Sequence, residues 1–449
     1  NRGNSSGNFG VICSVLPSFN MPPMRRFILL TCLIALSLPN IVRAQDDGIR
    51  YENYIYDDDI KTVQLHLNGA SQTNPMLELR PPNGALVLEF DHLGGDIKDY
   101  LYTFVHCNSN WEPSDLVDNE YIDGYNEDRI LEFENSLNTL TPYVHYTLRL
   151  PNSNMRWTKS GNYLLKIYDN DNDKRLVLTR RFLVVESQWG IEAQFVRPAR
   201  VDKFDTHHEI DFTVNYRNFR IQNPQQDVKA YVMQNFRWDN IIGPLPPFAQ
   251  RETKLVYDYQ DKVVFPAGKE WRFFDMRAFD SRGEGVKRVS EKDDYYEVTL
   301  YTEQSRGTAS YLFRADLNGK YAIDNKQYNQ SLAECDYAKV LFSLTQNAPL
   351  EDEDVYVFGE LSDWRLLPEF KMEYLPEAKA YIAEPFLKQG YYNYEFVTVS
   401  RKTGRMNEDT FEGNWYETRN DYTILVYFKA FGDRYERLMA SSTIVSGQK

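Results

Sequence analysis

The chain has 449 residues and a formal charge of −14 at pH 7, from 65 acidic against 51 basic side chains. It is too long for a single hydrophobic core, which implies two or three domains, and too acidic to hold nucleic acid or anionic lipid non-specifically. Aromatic residues make up 14% of the chain, and apolar positions alternate rather than recurring at helical spacing, so an all-β fold is expected.

Residues 1–20 precede the first Met and carry no pattern. From Met21 or Met24 the sequence reads as a secretory leader. Arg25 and Arg26 form the basic region, 27–38 the apolar run, and Val42-Arg43-Ala44 a small-residue cleavage site before Gln45. The apolar run is too short to span a bilayer, and no later run is longer. Cys32 lies inside this apolar run, preceded by Thr31, and is read as part of the leader rather than as a lipid-anchored cysteine. Cleavage after Ala44 marks the product for export and removes arginines but no acid. Cys107 and Cys335 remain; they are far apart and form no CxxC pair, and are read as two buried free thiols, with a disulfide between them as the alternative in an oxidising compartment.

The first segment, 45–186, shows strands at 63–67, 85–90, 100–107 and 145–150, then at 163–168 and 176–185 around the turn Asp169-Asn-Asp-Asn-Asp173. The spacing suggests an immunoglobulin-like β-sandwich, and Gly161-Asn-Tyr163 before a strand has the form of a tyrosine corner. A middle segment, 187–303, shows strands at 209–216, 228–234, 255–259, 270–278 and 296–301. A polar joint at 304–310 leads to the last segment, 304–449, with strands at 340–344, 355–358, 391–399 and 422–428. The expected architecture is three tandem β-sandwiches stacked end to end. They share no fixed sequence period, so the chain is not a repeat array.

Catalytic and metal motifs find little purchase. Asp169–Asp173 has Lys174 and Arg180 where a calcium loop needs Gly and Glu, so it reads as a hairpin turn. The acidic runs Asp57-Asp58-Asp59 and Glu351-Asp-Glu-Asp354 read as solvated loops. His207 and His208 are adjacent and would point to opposite faces of a strand. There is no nucleophile elbow and no Walker loop, and Gly283-Glu-Gly285 lacks the third glycine of a dinucleotide turn. A glycosidase carboxylate pair has no local spacing rule, so a hydrolase stays open as a third reading. No catalytic residue, cofactor or metal is assigned.

The last segment carries Val355-Tyr-Val-Phe-Gly-Glu-Leu-Ser-Asp-Trp364 followed by Gly390-Tyr-Tyr-Asn-Tyr-Glu-Phe-Val397. This resembles the glycogen-binding modules of starch-active enzymes and AMP-activated kinase, an E-set sandwich in which a Gly-x-x-x-x-Trp turn offers a tryptophan to a sugar ring. Trp364 stands at that position. Glu395 stands where those modules often carry lysine, and Trp415 is offset from their second tryptophan. A packed turn residue and a glycan platform are therefore both readings of Trp364.

Taken end to end, the chain resembles the type IX secretion system plug protein family. The residues that carry the resemblance are Tyr51-Glu-Asn-Tyr-Ile-Tyr56, Ala85-Leu-Val-Leu-Glu-Phe-Asp91, Tyr102-Thr-Phe-Val-His-Cys107 with Asn110-Trp111, the hairpin at 172–186, Val355 to Trp364, and 420–428 with Arg434-Tyr435. The resemblance implies a periplasmic, non-catalytic protein that caps the inner opening of the large outer-membrane translocon β-barrel. It implies no nucleic-acid partner and no membrane span. Such a cap should bury on the order of 1,000 Å² or more, with a few aromatic anchors. The loop 108–125 supplies Trp111 and Tyr121, with Tyr125, as candidate contacts. The alternative function is carbohydrate binding through Trp364.

Overall fold

A computed structural model describes residues 48–81, 85–217, 219–326 and 331–447; the leader and its cleavage site lie outside them. Residues 50–449 form one compact unit. Its helices are single turns of three or four residues, and the rest of the regular structure is strand, as the alternating pattern requires. No helix among the described residues is long and apolar enough to cross a membrane.

The first core lies between two sheets. One orders Tyr54–Ile55, Arg175–Val185, Gly161–Asp169, Tyr100–Cys107 and Asp128–Arg129, and the other Ile60–Leu67, Leu86–Leu93, Tyr143–Leu150 and Glu132–Asn135. In Tyr100–Cys107 the alternation sends Tyr100, Tyr102 and Phe104 into this core, where they meet Phe90, Tyr146 and Phe182. The Tyr163 hydroxyl donates to the Lys159 carbonyl at 2.8 Å, the tyrosine-corner bond expected at that position. The Asp-rich run closes a hairpin that pairs Asp169 with Arg175. Asp173 and Lys174 take positive φ there, and the Asp169 carboxylate accepts from the Asp171 N–H at 3.0 Å. Cys107 and Cys335 are buried, unbridged thiols, and burial pushes both up to about 12.

Strand partners in the rest of the chain differ from the sequence reading. That reading gave 422–428 to the last segment and 270–278 and 296–301 to the middle one. Instead Asp421–Phe428 pairs antiparallel with Val228–Gln234, and Arg437–Val445 adds beyond it. This four-stranded sheet faces the sheet of Gly190–Val196, His207–Asn215, Lys254–Tyr257 and Ala249–Arg251, and Tyr422, Ile424 and Val426 share a core with Ile210, Val214 and Val232. Arg272–Asp275 pairs with Gly390–Ser400, and Tyr296–Leu300 runs parallel to Tyr337–Thr345. Both belong to an 11-stranded sheet that surrounds the last core, with Phe274, Val298, Phe342, Val357 and Phe396 inside. The chain thus leaves the middle core, builds the last one and returns to finish the middle. Alternation identifies a strand but carries no information about its partner, which explains the difference.

The three cores do not form an end-to-end stack, because each touches the other two. First meets last where Asp336 caps the Leu140 and Thr141 N–H groups at 2.5 and 3.1 Å and the Tyr143 hydroxyl donates to the Cys335 carbonyl at 2.7 Å. First meets middle where Arg437 Nε donates to Glu186 at 2.9 Å and the Tyr427 hydroxyl to Asn162 at 2.6 Å. Middle meets last where Arg237 pairs with Glu408 at 2.6 Å. A triangle of contacts resists bending about any single joint, which a linear stack does not.

Candidate interaction surface

Of the three residues singled out from the sequence, Trp111 and Trp364 lie at two different junctions and Tyr121 lies inside the first core. Trp111, 7% exposed, sits at the seam of first and middle cores. Its backbone takes φ +67 and its N–H donates to the Asn108 carbonyl at 2.9 Å, closing a tight turn. That turn lays the indole against the edge of Trp238 at 5.0 Å, with the Arg181 guanidinium 4.2 Å from its centre. Burial pulls Arg181 down to about 10. The cation stays in place because Nε donates to the Tyr51 carbonyl at 2.9 Å and two indole faces receive its charge.

Tyr121, 3% exposed, belongs to the first core. Its ring contacts His106 and Tyr163, and its hydroxyl donates to Asp118 at 2.6 Å. Burial, helped by that carboxylate, raises its pKa. His106 is held through both ring nitrogens. Nε2 faces the Ser160 carbonyl at 2.9 Å and so carries the proton, leaving Nδ1 to accept from the Ser114 hydroxyl at 2.8 Å. Burial pushes His106 down to about 4. Trp111 and Tyr121 therefore present little ring surface outward, whereas Tyr125 in the same loop is exposed.

Trp364 occupies the seam of middle and last cores. Its turn is left-handed at both Asp363 and Trp364, with φ of +56 and +55. The indole packs on the edges of Trp271 and Phe358 at 5.6 and 5.8 Å. The Arg237 guanidinium lies 5.2 Å from the Trp364 ring and 5.1 Å from Phe358. Arg237 is nearly inaccessible to solvent; burial opposes its charge, and Glu408 and Asp239, paired at 2.6 and 2.7 Å, outweigh that opposition. Gly319 closes the cage, since a Cβ there would come 2.4 Å from Trp364 and 2.8 Å from Trp271. Glu395, where the sugar-module likeness has a cation, is buried beside this cage. Burial raises its pKa strongly, with Glu408 adding to the effect, and its Oε1 has no hydrogen-bond partner among the described residues. A neutral acid there supplies no positive charge to a sugar hydroxyl. Trp415 Nε1 is likewise buried without a partner among the described residues, and Lys269 lies 5.5 Å from its ring.

The sequence reading passed over Arg237, the residue that organises this seam. Its signal was local: an arginine inside Asn235-Phe-Arg-Trp-Asp239 needs carboxylates to be buried, but the second of these, Glu408, lies far along the chain. Exposed aromatic surface lies elsewhere, most of all at Phe431, which is 95% exposed.

Comparison with known proteins bears on the whole chain. A family model for the type 9 secretion system plug protein 1st domain matches residues 60–186, the stretch that builds most of the first core. No curated protein matches the chain. Among solved structures it is similar to a hypothetical protein from Parabacteroides merdae ATCC 43184, with 34% sequence identity and a TM-score of 0.84 over 89% of this chain and 100% of that one. That likeness extends beyond the first core to the middle and last ones. With the family model resting on the first core, the chain belongs to the type 9 secretion system plug protein family.

Proposed function

We propose that this protein acts in the periplasm as a non-catalytic component of type IX secretion, capping the periplasmic opening of the outer-membrane translocon β-barrel by protein–protein contact. Family membership supports a role in secretion. The observation that carries the capping reading is the mutual locking of the three cores, sealed by charge pairs such as Arg237 with the half-buried Glu408 and the fully buried Lys388 with Asp91. A lid over a wide pore must hold its shape while covering it, and a body whose parts each brace the other two does so. Capture of the translocon barrel from detergent-solubilised outer membranes, with the full chain as bait, tests this reading. Recovery of the barrel supports it, and its absence counts against it. Glycan binding has less support, because Trp364 already packs on two aromatic rings and a guanidinium.

A further inference from the structure

Phe431 stands at the tip of the loop joining Asp421–Phe428 to Arg437–Val445. The Asp433 N–H donates to the Ala430 carbonyl at 3.0 Å, and Gly432 takes φ +90. This is a type II turn with Phe431 at its second position and the glycine where positive φ is required. The turn is braced from several sides. The Asp433 carboxylate accepts from the Ala430 N–H at 3.1 Å. Arg434 donates to Glu120 at 2.7 Å and to the Asp115 carbonyl, both in the first core's loop. Glu436 accepts from the Ser109 N–H at 2.6 Å and pairs with Lys229 at 2.5 Å. Glu120 also accepts from the N–H of the exposed Val117 at 2.9 Å, so the same carboxylate ties both Arg434 and Val117.

An exposed apolar residue from each of two different cores thus lies three positions from one member of the Arg434–Glu120 pair, and a cleft of about 330 Å³ opens beside Phe431, lined by Asp227, Lys229, Tyr427, Lys429 and Glu436. A phenylalanine left almost wholly in water on a flexible loop would be unremarkable. Held on a turn tied down this firmly, it loses little conformational freedom on binding, which is the condition for an effective anchor. We infer that Phe431, with Val117 tied to the same ion pair, is the anchor by which this protein docks into an apolar socket on a protein partner, whose side chain enters the adjoining cleft. The inference rests on the capping reading for the partner's identity, the translocon barrel. A lipid surface fits less well. The acids Glu120, Asp227, Asp433 and Glu436 are offset by Lys229, Lys429 and Arg434, so the turn offers no net positive charge to draw it to an anionic bilayer, and one aromatic ring supplies too little burial to hold a folded chain of this size on a membrane.

The test measures binding of the full chain to the purified translocon barrel in detergent. Phe431→Ala should weaken binding by about tenfold or more, and Val117→Ser by a smaller factor, while Val201→Ala, at an exposed position of the middle core, should bind like wild type. Phe431 makes no core contact, so its loss leaves the fold intact. Wild-type affinity in Phe431→Ala overturns the anchor and leaves the capping reading standing. A wild-type chain that does not bind the barrel overturns both. Binding of the wild-type chain to phosphatidylethanolamine–phosphatidylglycerol vesicles that is lost in Phe431→Ala also overturns the inference, by assigning the ring to lipid.

Discussion

Lys388 of the last core and Asp91 of the first stand 297 positions apart in sequence and meet at 2.5 Å, each side chain 1% exposed. Burial raises the Asp91 pKa, but Lys388 and His145 outweigh it and hold the carboxylate below its ordinary range. His145 Nδ1 lies 2.7 Å from the other oxygen, the Tyr337 hydroxyl donates to Asp91 at 2.7 Å, and the Tyr143 ring lies 4.2 Å from the ammonium. Removing one partner leaves a buried charge unpaired, so Lys388→Met should cost about 3–5 kcal/mol. The double variant Asp91→Asn with Lys388→Met should cost less than that single change. Urea unfolding of wild type, the two single variants and the double variant checks both statements; a double variant weaker than Lys388→Met by the full Asp91→Asn penalty would deny that the pair acts as a unit.

The seam between middle and last cores depends on Gly319. Its φ of +82 is costly for any other residue, and a Cβ would strike the Trp364 and Trp271 rings. Gly319→Ala should therefore destabilise the protein by about 2 kcal/mol or more, from overpacking added to backbone strain. Differential scanning calorimetry measures the fall in melting temperature; an unchanged value would show that Trp364 is free to swing away.

His208 gives a pH dependence whose sign is fixed. Its Nε2 faces the Tyr416 carbonyl at 2.6 Å and carries the proton, while Nδ1 accepts from the Tyr422 hydroxyl at 2.7 Å. Burial pushes it down to about 4, against an ordinary value of 6.5. The unfolded chain therefore binds this proton first. The stability of the neutral histidine is present in full above pH 6.5 and is lost as pH falls toward 4. Relative to His208→Gln, wild type should lose about 2 kcal/mol between pH 7 and pH 5. Guanidinium unfolding at the two pH values reads this; a gap between the proteins that stays constant contradicts it.

Trp111 should behave as a packing residue. Trp111→Ala removes the indole from between Arg181 and Trp238 and should cost about 3 kcal/mol, with the seam of first and middle cores opening earliest. Hydrogen exchange at the neighbouring amides of 108–114 and 235–238 follows this directly; unchanged protection there would remove the packing role.

Much of the fold was legible where the determining chemistry is local. The Asp-rich turn at 169–173, the bond of Tyr163 to Lys159 and the alternating face of Tyr100–Cys107 each follow from residues within a few positions of one another. Strand pairing over long distances was not. Nothing within Asp421–Phe428 says that it will sit beside Val228–Gln234 rather than beside its sequence neighbours. The same limit applied to the candidate contacts. Trp111, Tyr121 and Trp364 are residue types that interfaces favour, but only the folded chain shows Arg181, Asp118 and Arg237 already engaging them. Phe431 went unremarked because an apolar residue in a turn carries no periodic signal, and its bracing by Asp115 and Glu120 is non-local.

Capping itself is tested most directly by the ion conductance of the purified translocon barrel in a planar bilayer, with this protein added to the periplasmic side. Capping predicts a stepwise fall in single-channel conductance, saturating with concentration and reversed on washing the protein out. Conductance unchanged at concentrations that saturate binding would contradict it.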